Sequence, residues 1–139
     1  MSDTARDLRS KAGDSEKITI NLGYVDLGHI DLLVEEGFYS NRTDFIRTAI
    51  RNQVDRHAEV VRQSVTRKSV DLGLRHFSRA DLEAALAEGR MLDIRVLGLA
   101  TIAQDVSADL ARATIASLTV LGALHAPAAV KAALADRIR

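Results

Sequence analysis

Residues 17–57 read KITINLGYVDLGHIDLLVEEGFYSNRTDFIRTAIRNQVDRH, and the first six decide how the rest is read. Lys17, Thr19 and Asn21 are polar, while Ile18, Ile20 and Leu22 are apolar. Strict alternation is the period of a half-buried β-strand, and Ile and Thr favour that conformation. Gly23 ends the run. Leu27, Ile30, Leu33 and Val34 then recur at helical spacing until Gly37 stops them. Ser40 or Asn41 is placed to cap a second helix, whose apolar stripe is Phe45, Ile46, Ala49, Ile50 and Val54.

A lone strand has two bare edges and one apolar face, and even a lone hairpin is marginal in water. Two helical patterns follow at once, so the neighbouring sequence supplies no partner strand. The same strand from a second copy does. The pairing predicts an obligate homodimer with Ile18, Ile20, Leu22, Phe45, Ile46 and Ile50 in its core. Lys17, Thr19 and Asn21 of both copies then project from the opposite face. A two-stranded antiparallel ribbon fits the major groove of B-DNA, about 12 Å wide.

The alternating ITINL, the LLVEEGFYSNR link and the SNRTDFIRTAIR helix start, in this order, resemble the ribbon-helix-helix superfamily of the CopG/MetJ/Arc type. The resemblance covers Lys17 to about His57. It implies a dimer that reads DNA bases with its paired strands. By position it makes Lys17, Thr19 and Asn21 the base-reading residues, and Asn41, Arg42 and Thr43 the residues that hold a phosphate. Many members carry Pro after the strand, where this chain has Gly23-Tyr24.

Composition narrows the alternatives. At 139 residues and 47% hydrophobic content the chain can bury a core, and with 4% aromatics and no Trp that core must be aliphatic. The absence of Cys excludes disulfides, thiolate metal sites and Cys nucleophiles. No apolar run approaches the ~20 residues of a membrane span. The opening MSDTARDLRS lacks the apolar segment of a signal peptide. The expected location is cytoplasmic, with no membrane partner. Net charge is zero, from 19 basic and 19 acidic side chains. The charges are segregated, however. Arg42, Arg47, Arg51, Arg56, Arg62, Arg67 and Lys68 outnumber Asp44, Asp55 and Glu59, whereas Asp26, Asp31, Glu35 and Glu36 make the first helix acidic.

Four segments are expected: a flexible arm over 1–16, the DNA-binding domain over 17–57, a helical connector over 58–68, and a C-terminal module over 69–139. In the arm, Arg6, Arg9 and Lys11 are candidates for DNA-backbone contact, against a plain solvated tail. Phe38 is expected to plug the turn between the first two helices and Tyr39 to cover their core. The connector, RHAEVVRQSVTRK, keeps a roughly helical apolar spacing up to Val65.

The C-terminal module carries a repeat. Residues 93–99 read DIRVLGL and residues 117–123, a further 24 along, read SLTVLGA. Val106 and Leu110 fall on Val130 and Leu134 at the same offset. A fainter copy starts at Ser69. One short strand with Gly and one short helix per unit predict a parallel βα stack. Val96 and Val120 should face its core, beneath Val106, Leu110, Val130 and Leu134, and these six residues are assigned to assembly. Strand edges at both ends should invite another subunit, giving tetramers or larger species. A small α+β domain holding an effector is the rival reading. Ser78 heads a capping box with Asp81, and Pro127 suits the first turn of the last helix.

The fold class expected is therefore α+β: a ribbon-helix-helix dimer with a swapped two-stranded antiparallel ribbon, followed by a small βα-repeat module. No catalytic motif of the GxSxG, Walker or HExxH kind is present. His29, His57, His76 and His125 are scattered, so neither a metal site nor a cofactor is expected. The leading function is a sequence-specific transcriptional regulator, acting as a repressor on double-stranded DNA. The alternatives are an antitoxin whose C-terminal half holds a toxin, and a self-assembling scaffold whose ribbon serves dimerisation alone.

Overall fold

The structure, a computed structural model, describes residues 15–139. The arm expected over 1–16 lies outside the described residues, apart from Ser15 and Glu16. The chain divides into two compact units, Ser15–Ser64 and Val65–Arg139. Among the described residues no helix is long and apolar enough to cross a membrane.

In the first unit, residues 15–23 pair with no strand of their own chain. Helix α1 spans Tyr24–Glu35 and α2 spans Arg42–Arg56. Gly37, at φ 85°, ends α1 in a left-handed turn. There the Phe38 N–H donates to Leu33 O and the Gly37 N–H to Val34 O, which satisfies the last carbonyls of the helix. That turn also corrects one expectation. Phe38 leaves it pointing outward and is exposed, whereas Tyr39 is half-buried with its ring edge-on to Phe45 at 5.0 Å. The turn is closed by backbone hydrogen bonds and needs no aromatic plug. Helix α3 spans Ala58–Lys68, separated from α2 by His57, whose backbone leaves the helical region (φ −101°, ψ 13°). The boundary between the two units falls within α3.

The second unit alternates strand and helix: β1 (Asp71–Phe77), α4 (Arg79–Ala87), β2 (Leu92–Ile102), α5 (Ala108–Thr114), β3 (Ile115–His125) and α6 (Ala128–Ala133). The strands form one parallel sheet in the order β1-β2-β3. From Asp93 to Thr101 the register of β2 on β3 is the 24-residue offset itself, with Val96 opposite Val120 and Gly98 opposite Gly122, after a shift between Leu92 and Asp93. Each helix returns the chain to the same end of the sheet and drops its apolar residues on one face. Leu82, Ala85, Ala111 and Val130 are buried there, as are Ile94, Val96, Ala100, Ile102 and Leu118 from the strands. Two expected helix positions lie just outside their helices: Val106 precedes α5, and Leu134 is the C-cap of α6. Both are nonetheless buried in this core. Ser78 and Asp81 form the expected reciprocal cap on α4, and Pro127 stands one place earlier than expected, as the N-cap of α6.

The far edge of the sheet differs from the expectation of two open edges. After α6 the chain turns back, and the Leu118 N–H donates to Arg137 O while the Arg139 N–H donates to Leu118 O. The C-terminal residues thus cover part of the β3 edge. Arg137 is held in place by donating to the carbonyls of Arg112 and Ile115.

Gly73, Gly98 and Gly122 sit opposite one another across the three strands, at φ 112°, 136° and 125°. A Cβ on Gly98 would stand 2.2 Å from Gly73 O, and one on Gly122 would stand 2.0 Å from Gly98 O. Both the backbone angle and the close approach demand glycine. Gly98→Ala should therefore lower the unfolding free energy by roughly 2 kcal/mol or more, the cost of a strained backbone position plus the clash. Denaturant unfolding of the full chain, followed by circular dichroism, measures it.

Candidate nucleic-acid interface

Among residues 15–64 only Ile30 is buried. Ile18 and Ile20 are 79% and 60% exposed, and Ile50 and Val54 are exposed as well. The apolar stripes of α1 and α2 meet only in part, leaving an open groove of about 370 Å³ lined by Ile20, Leu22, Ile30, Phe45, Ile46, Ala49 and Ile50, with Asp26 and His29 as its polar residues. Of the six residues assigned to a dimer core, only Ile18 does not line this groove. The candidate base-reading residues Lys17, Thr19 and Asn21 interleave with Ile18, Ile20 and Leu22 along the same stretch and are all exposed.

The start of α2 is built from short hydrogen bonds. Asn41 Oδ1 accepts the Asp44 N–H at 2.8 Å, and Asp44 Oδ2 accepts the Ser40 N–H at 2.9 Å. This cap satisfies the third N–H of the helix. The N–H groups of Arg42 and Thr43, at the first two helical positions, have no carbonyl one turn back to bond to. The local helix dipole adds partial positive charge in the same place.

Of the three residues expected to hold a phosphate, the side chains of Asn41 and Arg42 already have partners within the chain. The side chain of Asn41 is the cap. Arg42 turns back to α1, where its Nε and Nη2 donate to the two Asp31 oxygens at 2.8 Å each. Those hydrogen bonds hold the Asp31 carboxyl below its ordinary value of 3.8 and raise the Arg42 guanidinium. A depressed carboxylate stabilises the fold above its unfolded pKa, so this tie is complete above 3.8 and is lost as pH falls further. Both partners are more than half exposed, so its contribution is small.

Two further arginines lie on the same helix, one and two turns beyond its start. Arg47 and Arg51 line a shallow depression together with Ser40, Asn41, Thr43 and Asp44. The sequence carries the signal: Thr43, Arg47 and Arg51 are four apart and share one face of α2.

Val96, Val106, Val130 and Leu134, assigned to assembly, are buried in the chain's own core, with Leu110 and Val120 partly buried against it. His76 and His125 come to one row of the sheet on either side of Thr101, and His76 Nδ1 is 2.6 Å from Thr101 Oγ1. Among the described residues no group of His, Asp and Glu is arranged to hold a metal ion.

Comparison with known proteins gives one match to a family, the Ribbon-Helix-Helix transcriptional regulator family, over residues 13–131. The matched span runs through both compact units and ends within α6. No curated protein and no solved structure matches the chain.

Proposed function

The chain belongs to this ribbon-helix-helix family of transcriptional regulators, and from that premise we propose that it is a sequence-specific DNA-binding repressor, active as a dimer whose paired strands enter the major groove. The observation that carries the reading is the open core of the N-terminal unit. A unit of this size with one buried residue cannot offset the entropy of ordering its chain. A second copy laid over the groove between Ile20 and Ile50 closes that core. It also brings two 17–22 stretches side by side, so that each supplies the edge the other lacks.

Within this reading the strands and α2 divide the work. Phosphate contacts fix where the dimer sits, and base contacts decide which sequence it prefers. The N–H groups of Arg42 and Thr43, backed by Arg47 and Arg51, receive the phosphate. Lys17, Thr19 and Asn21 face the bases. In the major groove Asn reads adenine by donating from Nδ2 to N7 while its Oδ1 accepts from the N6 amino group, and Lys reads guanine by donating from Nζ to O6 and N7. The C-terminal unit then associates copies with one another, so that adjacent half-sites are bound together. This gain in avidity suits a protein with no net charge, whose non-specific hold on DNA is weak.

Arg47→Ala with Arg51→Ala tests the phosphate site. The pair removes two cations per copy and four per dimer, so the slope of log affinity against log salt should shrink by about 3 to 4. Affinity should fall for all duplexes alike, leaving the order of preference unchanged. Fluorescence anisotropy across a salt series reads both quantities. An unchanged slope would place the phosphate contacts elsewhere.

A further inference from the structure

We infer that the face of the C-terminal sheet opposite its helices is a contact surface for a second copy of this chain, an inference that rests on the dimer reading above. The strand register fixes what that face contains. Since Ile94, Val96, Ala100 and Ile102 are buried under the helices, the alternate residues of β2 point away from them. Two adjacent rows of that outer face are aliphatic across all three strands: Leu72, Leu97 and Leu121 in one, Leu74, Leu99 and Ala123 in the other. Leu72, Leu74 and Leu121 are 68%, 66% and 60% exposed. Polar rows frame them, with His76, Thr101 and His125 at one end and Arg95 with Thr119 at the other.

Parallel sheets are found with both faces covered; here α4, α5 and α6 cover one face, and on the other Arg95, in the polar row at one end, donates to Lys68 O at the end of α3. An apolar centre inside a polar rim is the anatomy of a protein–protein interface. Its size points to the occupant. Three strands about 4.8 Å apart, over the few residues of the leucine rows, make a patch roughly 15 Å on a side, far less than the ~800 Å² per partner of a stable free-standing complex. A surface this small holds only a partner already kept close by another contact. A copy tethered through the N-terminal ribbon meets that condition, because tethering turns the second contact into an intramolecular one. The two central rows also lack any charge, so a flat leucine surface meets its own copy without leaving a charge unpaired.

Each chain then carries two self-complementary contacts, the ribbon and the sheet face. If both share one two-fold axis the result is a closed dimer, and if the axes differ the result is a tetramer or an open chain. Either arrangement brings the leucine rows of two copies together.

The chain has no cysteine, so single-cysteine variants of the full-length protein report contacts cleanly. Leu97→Cys and Leu99→Cys place a thiol at the centre of the face, and Glu83→Cys places one on α4 as a control. Circular dichroism establishes that each variant is folded, and sedimentation gives its mass. Mild oxidation, or a short bifunctional thiol reagent, should shift both sheet variants to the mass of a covalent pair on a denaturing gel while Glu83→Cys stays single. A dimer or larger species in which neither sheet variant cross-links faster than Glu83→Cys overturns the sheet contact and leaves the ribbon standing. A monomer by sedimentation overturns both.

Discussion

Ile20→Lys should abolish the fold of the N-terminal unit and the dimer in a single step. In the proposed dimer Ile20 faces the groove formed by Ile30, Phe45, Ile46 and Ile50. A lysine there takes an ammonium out of water into a groove whose lining is apolar except for Asp26 and His29 at its margin, at a cost on the order of 3–5 kcal/mol per copy. Two copies lose roughly 6–10 kcal/mol, comparable to the whole stability of a small domain. Thr19→Lys, one residue away, turns its charge to the opposite face and should leave fold and mass unchanged. Sedimentation and circular dichroism on the two variants check the contrast. A folded, dimeric Ile20→Lys protein would mean that this stretch does not form the interface.

Thr19→Ala with Asn21→Ala should keep the fold and the salt slope but erase the preference for one duplex over another. A well-placed Asn contributes about 1–3 kcal/mol of discrimination, and the dimer presents two, so selectivity should fall by roughly thirty-fold to twenty-thousand-fold. Competition between a selected site and scrambled duplexes, followed by gel shift, measures the ratio. This variant and the Arg47/Arg51 pair are complementary: one changes preference without changing the salt slope, and the other does the reverse. Retained preference in the Thr19/Asn21 variant would transfer the reading to other side chains.

The two N-terminal helices are legible in the sequence because local signals agree. The period switches from two to helical at Gly23, Gly37 stops one helix, and Asn41 caps the next. Each signal acts within a few residues, so no knowledge of the distant chain is needed. The candidate phosphate site is legible in its place but not in its hydrogen bonds. Position marked the start of α2, but the fate of Arg42 depends on Asp31, eleven residues earlier on another helix. A sequence pattern shows which residues share a face and does not show which of two partners a long side chain will choose. In the C-terminal half the 24-residue offset gave the pairing of β2 with β3 directly. The glycines at 73, 98 and 122 could have been read as one ladder, since the VLG repeat already aligned two of them. Their need to be glycine comes from the carbonyl of the adjacent strand, which only the folded register reveals. The covered edge at Leu118 was hidden for a related reason. The residues that cover it, Arg137 to Arg139, show no strand pattern of their own and make only an isolated bridge.

In the proposed complex two copies of the 17–22 stretch lie together in the major groove. Dimethyl sulfate tests it most directly, because it methylates guanine N7 in the major groove and adenine N3 in the minor groove in one reaction. On a duplex selected by the full-length protein, guanine N7 should be protected at two positions related by the dimer's two-fold axis, with adenine N3 as reactive as in free DNA. Protection of adenine N3 with guanine N7 left open would contradict it.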